Sequence, residues 1–183
     1  KAIDMAYDKK QAADSILKNG SIPAYFLVPE DFVSNESGDD FRAKYGDFNM
    51  TDIEEAQELW QQGLNELGVS EISLGLLSYD DDQRKSMAEY MKNQLEKNLP
   101  GLTIAINQQP NKQKLDLEGK QDYDMSFSGW RNDISDPVEF LNVHLSDGPY
   151  NWQDFKNEEY DQLVKNSQTD FSDLDKRFED LQE

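Results

Sequence analysis

Two apolar runs separated by one helical pattern constrain this chain most. "EISLGLLSY", residues 71–79, is apolar on both faces, as a strand covered on both sides is. "LTIAIN", 102–107, reads as a second strand. Between them Met87, Tyr90, Met91 and Leu95 recur at helical spacing and form a stripe for burial. These methionines read as core fillers, because their spacing already assigns them to packing. Asp80 to Asp82 put negative charge at the helix start, where it is favoured.

The flanking segments extend the pattern. Thr51 with Glu54 reads as a capping box, Ala56, Leu59, Trp60, Gly63, Leu64 and Leu67 follow at a period of about 3.6, and Gly68 stops the helix. After Pro100-Gly101 and the second strand comes a polar connection in which Leu115 and Leu117 are expected to pack. "DYDMSFSGW", 122–130, reads as a third strand. The order helix, strand, helix, strand, connection, strand indicates an α/β fold: a largely parallel or mixed sheet with flanking helices, in a single domain over 1–183.

The remaining segments are shorter. "KAIDMAYD" places Ala2, Ile3, Ala6 and Tyr7 on one helical face. Asp8 with Gln11 opens another helix, ending at Asn19-Gly20. "IPAYFLVP" is an extended segment or buried loop, and 30–49 is a long surface loop tacked down by Phe32, Phe41, Tyr45 and Phe48. Asp136, Pro137 and Glu139 have the form of a helix start. Further helices are expected over 158–165 and from Ser172 with Asp175.

Composition narrows the function classes. A net charge of -20 leaves no basic footprint for nucleic acid or an anionic membrane. With no cysteine, disulfides, thiolate nucleophiles and cysteine metal sites are excluded. No run approaches the ~18 apolar residues of a membrane span. The helical patterns at both ends read as cuts within a longer chain.

Catalytic motifs are missing. His144 is the sole histidine, so it reads as packing or surface rather than as a metal ligand. Ser126 and Ser128 have no nucleophile elbow around them. "SYDDDQR" lacks the ligand offsets and turn glycine of a calcium loop. Neither a metal nor a cofactor is implied, and no enzyme activity is expected.

"GWRND", 129–133, holds the remaining chemistry. Gly129 permits close approach at the end of a strand, the Trp130 ring offers a flat apolar surface, and Asp133 accepts charge three residues later. Together they suit a ligand with a cationic group and a carbon body. Equally, Trp130 packs in a core and Asp133 turns the chain. The residues alone leave both readings open.

A resemblance bears on that choice. "DYDMSFSGWRNDISDPVEFLNVHLS", 122–146, resembles the extracytoplasmic solute-binding proteins of peptide ABC transporters, the oligopeptide-binding protein family. The matching residues are Tyr123, Asp124, Gly129, Trp130, Asp133, Asp136, Pro137, Phe140 and Leu141. Ala2, Ala6, Asp8, Lys9, Gly20, Pro23 and Ala24 fit another family region, and "FKNEEYDQLV" a third, so the likeness runs nearly end to end. It implies the carboxy-terminal lobe of a two-lobed protein with a type II periplasmic-binding-protein-like fold. By position, Asp133 matches the acceptor of a peptide α-ammonium and Trp130 the aromatic beside it; Arg131 falls where the family varies. The implied partners are an oligopeptide, an amino-terminal lobe and the membrane permease of an importer, at the extracellular face, with a lipid anchor outside this chain. Pheromone, dipeptide or metal-chelate binders share the fold, and a surface protein-interaction module is the reading from another class.

Overall fold

The computed structural model describes residues 1–48, 50–169 and 171–183. Their contacts gather into two compact units, the first made of 1–25 and 49–128, the second of 26–48 and 129–183.

In the first unit, α1 (Ala2–Met5) and α2 (Lys9–Gln11) lead into a π-helical turn, Ala12–Leu17. Asp8 caps α2 as expected, its carboxylate accepting from the Gln11 N–H at 2.8 Å. The helical turn ends at Lys18, which adopts the left-handed conformation at φ 51°, before Asn19-Gly20 is reached. The helix α3 (Ile53–Leu67) is capped by Asp52, one residue later than expected, because Thr51 is occupied elsewhere. The Thr51 hydroxyl donates to the Tyr7 carbonyl at 3.0 Å, tying α3 back to the first segment.

The strand β1 (Ile72–Tyr79), the helix α4 (Asp82–Asn98) and the strand β2 (Leu102–Gln109) follow. Asp81 caps α4 by accepting from the Arg84 N–H at 3.0 Å. β2 lies parallel to β1 from Ile72–Leu102 to Tyr79–Gln109. The turn into β2 requires Gly101: φ is 87°, and a Cβ there would stand 2.5 Å from the Ser70 carbonyl. The third strand shrinks to β3 (Met125–Ser126), which pairs with β1 only at Leu76–Met125 and Leu77–Ser126. One step before that register the Asp124 carboxylate takes the Gly75 N–H at 2.7 Å, so a side chain satisfies a backbone donor there. The sheet order is β2-β1-β3 and its pairs are parallel, the first form of the largely parallel or mixed sheet expected. Both connections pass through helices, α4 and α5, as parallel neighbours require. Trp60, Leu64, Leu76, Leu95, Leu99 and Ile104 form the centre of this unit's core.

The polar connection before β3 departs further from expectation. It is a helix, α5 (Asn111–Gly119), and it turns Lys114 and Glu118 inward while Leu115 stays 38% exposed. Lys114 Nζ lies 2.5 Å from Glu118 Oε1 and 4.4 Å from the Tyr79 ring centre, and the Ser126 hydroxyl donates to the same oxygen. The i,i+4 spacing lets each charge compensate the other on one helix face, which makes burial tolerable.

The second unit packs Val28, Phe41, Val138, Leu141, Val164 and Leu181 at its centre. Phe41, expected to tack a surface loop, is fully buried and meets Phe178 edge-on at 5.1 Å. Phe48 and Tyr45 remain exposed, and Asn49, the last residue of the expected loop, lies outside the described residues. The helices here are α6 (Val138–Leu141), continued by one 3-10 turn, α7 (Glu158–Thr169) and α8 (Leu174–Gln182). α7 runs past the expected end at Lys165, and Asp173, not Ser172, caps α8.

Replacing Phe41 by Ala should destabilise the second unit by about 3–5 kcal/mol, read by urea unfolding. A loss below ~1 kcal/mol would show that the 30–48 segment is not core. Lys114→Met should cost about 3–5 kcal/mol by stranding the Glu118 carboxylate, and adding Glu118→Leu should restore most of it. If the double variant is as unstable as the single one, the buried pair is not the cause.

Candidate functional site

The chain enters the second unit at Gly129 and runs through an irregular segment to Asp136 before α6 begins. Its far end is tightly held. Asp136 Oδ1 accepts from the Val138 N–H at 3.0 Å, which starts the helix. Arg177 Nη2, from α8, donates to both Asp136 oxygens at 3.0 and 2.8 Å. Arg177 Nε also donates to the Ser167 carbonyl at 2.7 Å, on α7. One carboxylate thus joins α6 to two other helices. Glu139 adds no capping bond, because Pro137 occupies the cap position.

The four residues before this clamp are used differently. Trp130 is 42% exposed and lies edge-on to Tyr150, with ring centres 4.9 Å apart. Arg131 and Asp133 are exposed, and neither has a partner among the described residues. Asn132 is partly buried, yet both ends of its amide are enclosed without a hydrogen-bond partner among the described residues. Leaving such a group unpaired costs about 1–3 kcal/mol. Gly129 has an unremarkable backbone, and a Cβ there would meet nothing within 4 Å. β3 has already ended at Ser126, so Gly129 is not what ends the strand.

The segment carrying Tyr150 is itself braced. Asp161 accepts the Ser146 N–H at 2.9 Å, and that bond holds its carboxyl below the usual range. Asn151 clips the turn, donating to the carbonyls of Ser146 and Phe155 at 3.3 and 2.7 Å and accepting the Phe155 N–H at 3.0 Å. Tyr160 donates to the Leu141 carbonyl at 2.7 Å, and burial pushes its phenol well up. His144 contacts Gln153 and lies edge-on to Phe155 at 6.5 Å. Burial pushes its imidazole down.

The arrangement offers an aromatic surface, a carboxylate and a guanidinium within consecutive residues. It contains no nucleophile paired with a base, and no cluster able to hold a metal occurs among the described residues. Sequence reasoning singled out Gly129, Trp130, Arg131 and Asp133 as candidates. It missed Asn132 and Tyr150: an asparagine in a loop is ordinary, and Tyr150 matters only through a neighbour distant in the chain.

Residues 1–152 match the profile of the bacterial extracellular solute-binding proteins, family 5 Middle. The chain is 30% identical to the dipeptide-binding protein of Lactococcus lactis subsp. cremoris (strain MG1363), across 92% of this chain and 30% of that protein. A crystal structure of an oligopeptide ABC transporter substrate-binding domain from Bacillus anthracis str. Ames superposes with a TM-score of 0.94 at 37% identity. That match covers 99% of this chain and 35% of the solved one. Listeria monocytogenes OppA, solved bound to peptide, superposes with a TM-score of 0.90 at 38% identity, over 98% of this chain and 35% of that one. The chain therefore spans about a third of the length of the curated relatives it matches. With the family profile matched over most of its length and an α/β architecture of one lobe of a type II periplasmic-binding fold, the chain belongs to the bacterial extracellular solute-binding proteins, family 5.

Proposed function

We propose that this chain is the carboxy-terminal lobe of a longer, two-lobed protein that captures oligopeptides outside the cell membrane for an ABC importer. The run from Trp130 to Asp133 carries the reading. Three residues further on, Asp136 is saturated by helix and arginine contacts. Trp130 presents ring surface beside Tyr150, and Arg131 and Asp133 present charge that pairs with no other described residue. The peptide bound to the Listeria relative supports the ligand class.

Each group has a defined task in this reading. Asp133 accepts the peptide α-ammonium, and Trp130 lines the site beside it as an apolar wall. Gly129 leaves the ligand room, and Arg131 contacts it. Such a charge pair orients the ligand and sets specificity more than it raises affinity. Main-chain hydrogen bonds hold the rest of a peptide whatever its sequence. The amino-terminal lobe supplies the facing wall, and the importer's permease receives the loaded protein. No covalent step is involved. The protein works at the extracellular face of the membrane, held by a lipid anchor outside this chain. Among the described residues no helix is long and apolar enough to cross a membrane.

Two measurements test the proposal. In the longer protein, Asp133→Asn should weaken binding of a free peptide by about 2–5 kcal/mol in calorimetry and abolish discrimination against its N-acetylated form. If the unsubstituted protein binds free and acetylated peptide equally, Asp133 does not read the ammonium. The 183-residue chain alone carries only one wall and should bind the same peptide weakly. A dissociation constant of about 1 μM or tighter, roughly −8 kcal/mol, would overturn the one-wall reading.

A further inference from the structure

Arg131 differs from the other arginines of the chain, of which there are four in all. Arg42 lies over the Phe26 ring, 5.9 Å from its centre, and pairs with Asp47. Arg84 lies 4.3 Å from the Tyr79 ring centre and pairs with Asp81 at 2.8 Å. Arg177 lies 5.2 Å from the Phe171 ring centre and pairs with Asp136 at 2.8 Å. Each of these three guanidinium groups thus meets an aromatic ring and a carboxylate. Arg131 is exposed and meets neither among the described residues.

The residue before it has the complementary deficit. Trp130 and Tyr150 are 42% and 46% exposed, set edge to face. Tyr150 meets Trp152 in turn at 6.0 Å and 70°, so the rings form an edge-to-face series. Lysine or arginine covers Tyr7, Tyr25, Phe26, Tyr45, Tyr79 and Phe171, but no cation of the described residues covers Trp130 or Tyr150. The turn carrying Tyr150 is pinned by Asn151, so the ring stands on fixed backbone.

We propose that Trp130, Tyr150 and Arg131 form a subsite for an aromatic side chain of the bound peptide, with Tyr150 as its specificity-determining residue. The proposal rests on the peptide-binding reading above. A ligand ring entering there continues the edge-to-face series, the arrangement that aromatic pairs prefer. The Arg131 guanidinium then covers the ring face, as the other arginines do within the fold. A lysine or arginine side chain in the same place meets the like charge of Arg131. A glutamate gains Arg131 but lies near Asp133. An aromatic ring carries no charge and draws on all three groups.

The test uses the longer protein and calorimetry. The probes are tetra-alanine and its variants carrying a single phenylalanine, cyclohexylalanine or glutamate at each position. At one position phenylalanine should bind roughly tenfold tighter than alanine and several-fold tighter than cyclohexylalanine, which matches its bulk without a π face. Tyr150→Ala and Arg131→Leu should each reduce that phenylalanine-to-cyclohexylalanine ratio towards one, and Arg131→Lys should keep part of it. Both positions are exposed, so unchanged melting curves are expected for the variants. A ratio near one at every position, or a ratio that survives both substitutions, overturns the aromatic subsite. A glutamate preference that Arg131→Leu removes also overturns it, by assigning Arg131 to a carboxylate. If the peptides bind without aromatic preference, this inference alone fails. If none binds, the peptide-binding reading fails with it.

Discussion

The pair between Arg177 and Asp136 organises the half of the molecule that carries the candidate site. A single carboxylate there starts α6, takes two contacts from α8 and, through the same guanidinium, reaches the α7 backbone. Charge-assisted bonds of this kind are stronger and more directional than neutral ones. Arginine suits the role because its planar group donates along several directions at once. With the exit of the loop held this way, the residues just before it are relieved of structural work. That division explains how a loop with an enclosed asparagine and two charges, none of them partnered among the described residues, persists in a folded chain.

The first unit shows the same economy in a different form. Among the described residues its sheet has three strands, and one of the two edge strands, β3, is two residues long. Side chains supplement backbone pairing there: Asp124 takes the Gly75 N–H, while the Ser126 hydroxyl joins the Lys114–Glu118 pair. A chain with 38 acidic residues and 18 basic ones cannot give every carboxylate a cation. Many carboxylates serve instead as acceptors for backbone N–H groups, as Asp8, Asp52, Asp81 and Asp173 do at helix starts. The surplus of negative charge is therefore partly a structural resource, beyond its effect on solubility.

The elements that could be read from residue order share a short range. Asp8 and Asp81 cap their helices because the bond closes within three residues, β1 follows from a run apolar on both faces, and β2 from apolar residues of which Leu102 and Ile104 are buried while Thr103 and Ala105 between them face outward. Where a local reading slipped, a distant partner had intervened. Thr51 looked like a cap, but its hydroxyl goes to Tyr7, and the cap moved to Asp52. Leu115 looked like the packing residue of a polar connection, but its neighbour Lys114 found Glu118, Ser126 and Tyr79. The site was partly legible for the same reason. Trp130, Arg131 and Asp133 stand together in the chain, whereas Tyr150 meets Trp130 only after folding.

Residue order alone thus settled the α/β alternation, the helix starts governed by their own aspartates and the stretch in which unusual chemistry collects. Those features depend on backbone geometry and hydrogen bonds spanning a few residues. Folding decided that Phe41 is core, that an ion pair is buried on α5, and that Asp136 is bound to Arg177 while Asp133 is left open. Both aspartates are equally acidic and almost adjacent. Their difference comes from which side chains a remote helix brings within reach, and no local pattern encodes that.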